Sequence, residues 1–238
     1  MKPVLILQHL SADGPAYLAT WLTREGVSFE VRDAEAGQEY PQRIDDYAAL
    51  AVLGGEMSAN DRLPSLRRAE ALILDAMARG RPVIGHCLGG QLMARALGAD
   101  VRRSPAPEIG WQSLTVADHA QAVEWFGRAG DWQVFHWHEE AFDLPAGAVA
   151  LAGSPACPHQ AFGIGPHLAM QFHVEVDAEK LCRWSQLDSA PYLEAQRLHA
   201  TVQSGPAMRE AMAQYLPEQQ MLADRIYARW LSAAPRSA

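Results

Sequence analysis

The chain has 238 residues, 49% of them hydrophobic, with Lys+Arg 20 against Asp+Glu 28 and a formal net charge of −8. That composition supplies a large core, so it excludes intrinsic disorder and suits one α/β domain or a domain with an appended helical segment. The acidic balance offers nothing to steer the protein toward nucleic acid or anionic lipid, and neither is expected as a partner.

The first apolar run, residues 4–10, is too short for a secretory h-region and has no small-residue cleavage site after it. No run approaches the roughly 18 apolar residues of a membrane span. The expectation is a cytoplasmic protein with no membrane association. Residues 4–10 read as a buried strand, and 14–26 as a helix opened by Asp13-Gly14-Pro15 and closed by Gly26. Strands are predicted over 29–32 and 48–53, the latter ending at Gly54-Gly55. Residues 65–79 form an amphipathic helix, with Leu66, Ala69, Leu72, Ile73, Ala76 and Met77 on one face. A fourth strand, 82–85, is followed by a helix over 88–97. Repeated β-α-β units predict a doubly wound, mostly parallel sheet with helices on both faces. Ligands then bind at the carboxyl ends of the strands, where Gly55 and Cys87 fall.

From residue 101 to 174 short alternating segments (110–116, 131–137, 149–151, 160–164 and 168–172) read as hairpins and continuation of the sheet. After Asp177 the pattern is helical, with Pro191, Gly205-Pro206 and Pro217 as breakers and a frayed tail over 233–238. The division expected is a catalytic domain over 1–180 and a helical extension over 181–238 packed on it. In the extension, Leu222, Ile226 and Trp230 recur at four-residue spacing. Their apolar face either covers the end of the sheet or docks a partner or a second copy.

Cys87, Cys157 and Cys182 form no C-x-x-C pair and are odd in number, which argues against a disulfide scaffold and a structural zinc site. The histidines are scattered, and His136 and His138 alternate along a strand rather than sharing a helix face. Neither a metal nor any other cofactor is expected.

The strongest local signal is Pro82-Val83-Ile84-Gly85-His86-Cys87-Leu88-Gly89-Gly90-Gln91. A buried strand ends, a nucleophilic residue sits at the turn, and a helix begins at once, as in a nucleophile elbow. Glycines flank the turn because a Cβ there would clash with the neighbouring strand and helix. A helix N-terminus favours a thiolate, and its free amides can stabilise an oxyanion. A buried structural cysteine is the alternative for Cys87, and the paired glycines weigh against it. The elbow does not name the reaction, because dienelactone hydrolases carry a similar one. A cysteine nucleophile needs a base held by a third group. Met170-Gln171-Phe172-His173-Val174-Glu175 supplies both: on a strand, residues two apart share a face, so Glu175 can hold the His173 imidazole in one tautomer.

With these motifs in order, residues 45–180 resemble class I (triad-type) glutamine amidotransferases. The cysteine motif G-[IV]-C-x-G-x-Q aligns with Gly85 to Gln91, and Q-F-H-P-E with Gln171 to Glu175. The glycine loop aligns with Val52-Leu53-Gly54-Gly55, and Ser58-Ala59-Asn60-Asp61 resembles stand-alone members. Val134-Phe135-His136-Trp137-His138 resembles the stretch lining the glutamine pocket in the glutaminase half of GMP synthases. The resemblance implies the flavodoxin-like amidotransferase fold, Cys87 as nucleophile, His173 as base and Glu175 as its orienting acid. It further implies oxyanion-hole amides at Gly55 and Leu88, with Gln91 and His138 holding glutamine or another γ-glutamyl compound. The chain departs from the pattern at Val174, where proline is usual, at His86, usually small and apolar, and at Glu56. Glu139-Glu140 replaces Gly-Asp and reads as a solvated loop or a site for a basic group.

No ATP-pyrophosphatase loop or Walker A sequence is present. An ammonia acceptor is therefore expected on a separate synthase chain or not at all, and a homodimer is the other association considered. The competing activity is a free-standing γ-glutamyl peptidase. An esterase of the α/β-hydrolase type would place its acid between cysteine and histidine, and its histidine near the C-terminus, whereas Glu175 follows His173 with a long segment beyond. A non-catalytic module is disfavoured by the intact Cys87, His173 and Glu175 set.

Overall fold

The computed structural model describes residues 1–235. Its first strand, β1 (Val4–Gln8), buries every side chain, as a strand covered on both faces must. Then come α1 (Tyr17–Arg24), β2 (Phe29–Asp33), β3 (Ala49–Val52), α2 (Pro64–Ala78), β4 (Val83–His86) and α3 (Leu88–Ala96). The expected helix over 14–26 starts only at Tyr17, because Ala16 has φ 42° and the preceding turn is engaged elsewhere. The second half contains β5 (Val101–Val116), α4 (Ala120–Phe126), β6 (Gly130–Phe142), β7 (Val149–Gly153), β8 (Ala161–Ile164) and β9 (His167–Met170). It closes with α5 (Ala178–Trp184), α6 (Ala190–Leu198) and α7 (Gly205–Ser232).

All strands join one nine-stranded sheet in the order β2-β1-β3-β4-β9-β8-β7-β5-β6. The β2-β1-β3-β4-β9 portion is parallel, and the remaining pairings are antiparallel. The sheet is thus mixed, its parallel part joined to the antiparallel continuation expected from residue 101 onward. This order sets β3, β4 and β9 side by side and parallel, so the segments leaving their carboxyl ends meet at one edge.

Alternation along the strands divides the core. Val4 and Ile6 of β1 pack with α1, α4 and α7 on one face, while Leu5 and Leu7 pack with α2 and α3 on the other. Ile109, Trp111 and Phe135, from β5 and β6, build a third cluster with α5, α6 and the first part of α7. Burying a Leu- or Phe-sized side chain contributes roughly 1.5–3 kcal/mol, so these layers supply the main folding drive.

Several expectations shift. Strands β5 and β6 are longer than forecast, so Glu139 and Glu140 lie on a strand rather than in a loop. Glu139 pairs with Arg103 at 2.9 Å, and Glu140 accepts from Ser58 Oγ at 2.8 Å. Helix α4 was not foreseen; it is one short stretch capped by the His119 side chain, which accepts from Ala122 N. Pro217 does not break the chain but sits inside α7, where buried Leu216, Gln219 and Leu222 around it are held by tertiary packing. The Leu222, Ile226 and Trp230 face is buried in the core, so it covers the sheet and is not open to a partner. Of the tail expected to fray over 233–238, Ala234 is packed and residues 236–238 lie outside the described residues.

Candidate active site

Strand β4 delivers the chain to Cys87, whose backbone takes φ 49° and ψ −109° before α3 starts at Leu88. A left-handed φ on a non-glycine residue costs of order 1–3 kcal/mol and persists only where its surroundings enforce it. Here the enforcement is close packing. A Cβ on Gly89 would lie 2.1 Å from the Val52 carbonyl oxygen, and one on Gly85 would lie 2.6 Å from Gly89 backbone atoms. Only glycine lets α3 begin this close to β3 and β4. Cys87 N donates to Met170 O at 2.8 Å, tying the elbow to β9. The thiol is 7% exposed, with its Sγ 3.6 Å from both Trp137 O and Gln171 Nε2.

Strand β9 ends at Met170, so His173 and Glu175 lie in the irregular segment beyond it rather than on the strand. The predicted pairing is nevertheless present: His173 Nδ1 lies 2.7 Å from Glu175 Oε1. The segment is held by His173 N donating to Phe135 O and by Tyr17 N donating to Glu175 O. His173 and Cys87 flank the same point of backbone: a Cβ on Gly54 would stand 3.0 Å from His173 Cε1 and 3.6 Å from Cys87 Cβ. His173 Nε2 has no hydrogen-bond partner among the described residues. The Trp184 ring meets the imidazole edge-on, centroids 4.8 Å apart.

Glu175 is fully buried and lies among cationic and polar groups. Lys180 Nζ is 3.7 Å from Oε1 and also pairs with Asp13 at 2.8 Å and Gly14 O at 2.9 Å. His86 Nε2 is 4.0 Å from Oε2. Burial alone would raise the Glu175 carboxyl, but facing His173, His86 and Lys180 hold it well below the usual carboxylate range. Burial would likewise lower His173, but Glu175 and Cys87 outweigh it and hold the imidazole up at about 10. The pair is therefore imidazolium and carboxylate at neutral pH.

Gly55 and Leu88 adjoin: a Cβ on Gly55 would lie 3.0 Å from Leu88 Cδ2. Gln91 is buried, and its amide donates to Glu140 O at 3.0 Å and Gln171 Oε1 at 3.3 Å. The His138 side chain points elsewhere. Its Nε2 lies 3.3 Å from Glu108 Oε2 in a separate buried cluster with His136 and Gln160. Burial lowers His136 to about 3, leaving it neutral.

Sequence reading missed Lys180, Asp13, Gln171, Trp184 and Tyr227 as parts of this site. Lys180 had a signal, since Lys2 and Lys180 are the only lysines among 20 Lys+Arg residues and one of them falls just after Glu175. Tyr227, far along the chain in α7, carried none.

The sequence profile of the family described as glutamine amidotransferase class-I matches residues 17–181. The chain is 32% identical over 193 residues to the glutamine amidotransferase-like protein YfeJ of Salmonella typhimurium, covering 76% of this chain and 80% of that protein. It is 35% identical over 184 residues to the glutamine-hydrolysing GMP synthase of Aeropyrum pernix, spanning 74% of this chain but 35% of that enzyme. Among solved structures, a glutamine amidotransferase from Methylobacillus flagellatus superposes with a TM-score of 0.95 at 36% identity, covering 100% of this chain and 97% of that one.

Proposed function

Because the chain belongs to the class I glutamine amidotransferase family, we propose that it hydrolyses the γ-amide of glutamine, or of a close γ-glutamyl analogue, through a thioester on Cys87. The Cys87 sulfur attacks the γ-carbonyl carbon, and the carbonyl π electrons move onto oxygen. The amides of Gly55 and Leu88 receive that oxyanion, Leu88 at the N-terminus of α3 where its N–H has no helical acceptor. Collapse expels ammonia, which takes its proton from His173. Water then adds to the thioester with His173 as base, and glutamate leaves as the thiol is restored.

The observation that carries this reading is the strained backbone of Cys87 at the head of α3, with the His173–Glu175 pair at 2.7 Å across the same glycine loop. The imidazolium state supports it as well, because the proton needed by the leaving ammonia already rests on the ring. His138 is not assigned to substrate here, since its ring nitrogen faces Glu108. Gln91 acts through Gln171, whose amide touches the Cys87 sulfur.

The aligned part of the GMP synthase is a minor share of that enzyme, which supports an ammonia acceptor supplied by a separate synthase chain. Steady-state ammonia release from glutamine, γ-glutamyl dipeptides and glutathione tests the reading on purified protein. Turnover of glutamine that speeds up when an acceptor chain is added supports it. Robust turnover of γ-glutamyl peptides with negligible glutaminase activity replaces it with the peptidase.

A further inference from the structure

The antiparallel β5–β6 pairing sets Glu108 directly opposite His138, with His136 two residues along on the same face and opposite Gly110. One donor atom from each of these three side chains lies within 4.8 Å of the other two, and all three residues are buried. Glu108 Oε2 and His138 Nε2 are 3.3 Å apart. That is about the edge of a tetrahedron whose centre bonds nitrogen and oxygen at roughly 2.0–2.1 Å.

A closed hydrogen-bond network is the ordinary alternative, and part of it is present. Gln160 Nε2 reaches Glu108 Oε2 at 2.6 Å, Ser154 Oγ at 3.1 Å and His138 Nε2 at 3.4 Å. This network leaves His136 unexplained. Its ring is fully buried, yet neither nitrogen has a hydrogen-bond partner, and His138 Nδ1 and Gln160 Oε1 are also unpartnered. Each such buried polar atom costs about 1–3 kcal/mol if nothing meets it. The amide of Gln160 can be turned so that its oxygen faces Glu108 and His138. Two oxygens then face each other, an arrangement that is favourable only around a cation.

We propose that Glu108, His136 and His138, completed by Gln160 Oε1, bind a divalent cation of the zinc class. Two imidazoles and two oxygens in a closed four-donor set match a structural zinc site rather than calcium or magnesium, which take more oxygens. The ion would pin β5 to β6 behind the thiol, since β6 also presents the Trp137 carbonyl to Cys87 Sγ. This inference does not depend on the reaction at Cys87.

The test uses the full chain carrying Cys87→Ser, so that the exposed thiol cannot supply a ligand. Protein refolded with zinc, then dialysed against a weak chelator, should retain one zinc per chain. Refolding with cobalt should give the visible absorption of a four-coordinate cobalt centre. His136→Phe, which removes an imidazole that bonds nothing, should stay folded by circular dichroism and lose both signals. Glu108→Gln keeps a side chain of the same shape and should lower metal retention at least tenfold, serving as the second variant should His136→Phe fail to fold. Folded parent protein without stoichiometric metal after this loading would overturn the site in favour of a water-filled polar pocket. Undiminished metal in folded His136→Phe or Glu108→Gln would overturn it too, because the ion would then lie elsewhere.

Discussion

The hydroxyl of Tyr227 lies 3.3 Å from Nε2 of His86, the residue immediately before the cysteine of the elbow. Burial pushes the Tyr227 hydroxyl well above its usual value, so it stays protonated and available to this bond. His86 in turn stands 4.0 Å from Glu175. A residue of the last helix thus supports the acid that orients His173. Tyr227→Phe should therefore reduce kcat about fivefold with KM little changed, equivalent to about 1 kcal/mol, the typical worth of one hydrogen bond. Steady-state kinetics check this, and a loss confined to KM would contradict it.

Lys180 is a buried cation held by Asp13 and facing Glu175. Lys180→Met leaves Asp13 and Glu175 without a counter-charge, and breaking a buried pair from one side typically costs about 3–5 kcal/mol. Urea denaturation should show a loss of that order. Adding Asp13→Asn should recover a substantial part of it, whereas strict additivity of the two losses would show that the pair is not coupled.

Glu175→Gln should keep the fold and lower kcat severely, by about 10³-fold or more, because a neutral amide neither fixes the His173 tautomer nor stabilises its cation. The pH dependence of the surviving activity carries the sharper signature. His173 is held at about 10 chiefly against burial by Glu175, so removing that charge should move its titration toward neutrality. A pH–rate profile identical to the parent's would contradict the assignment.

Stability should fall on mild acidification. Burial lowers His9, His86 and His167 to about 4 and His136 to about 3. Their folded values lie below the unfolded value of about 6.5, so the unfolded chain binds more protons between pH 6.5 and 4 and stability declines as pH falls. Each can contribute up to about 1.4 kcal/mol per pH unit in that window. His173 behaves oppositely: its contribution is complete below pH 6.5 and is lost as pH rises toward 10. Urea unfolding at several pH values in apo protein checks both arms, and a flat profile between pH 6.5 and 4.5 would contradict the first.

What the chain disclosed in advance was local. The elbow could be read from Gly85 to Gln91 because its glycines answer contacts that neighbours in sequence largely create. His173 and Glu175 could be paired because they are two residues apart, although the reason given, a shared strand face, was not the one realised. The rest depended on partners distant in sequence. Glu108 meets His136 and His138 only through β5–β6 register, and a bulge between Arg103 and Glu108 shifts that register. Tyr227 reaches His86 because α7 runs back over the sheet, which no periodicity in 219–231 announces. His138 was misassigned to the substrate for the same reason: strand alternation gave its side chain a face, but not the carboxylate waiting there.

The central claim is a covalent γ-glutamyl intermediate on Cys87. Mass spectrometry of the intact chain, acid-quenched during turnover of glutamine, tests it most directly. The account predicts a fraction of molecules heavier by one γ-glutamyl group, mapped by proteolysis to the peptide containing Cys87, with Cys87→Ala showing neither adduct nor ammonia release. Parent-level turnover by Cys87→Ala, with no adduct at Cys87 in the parent, would contradict it.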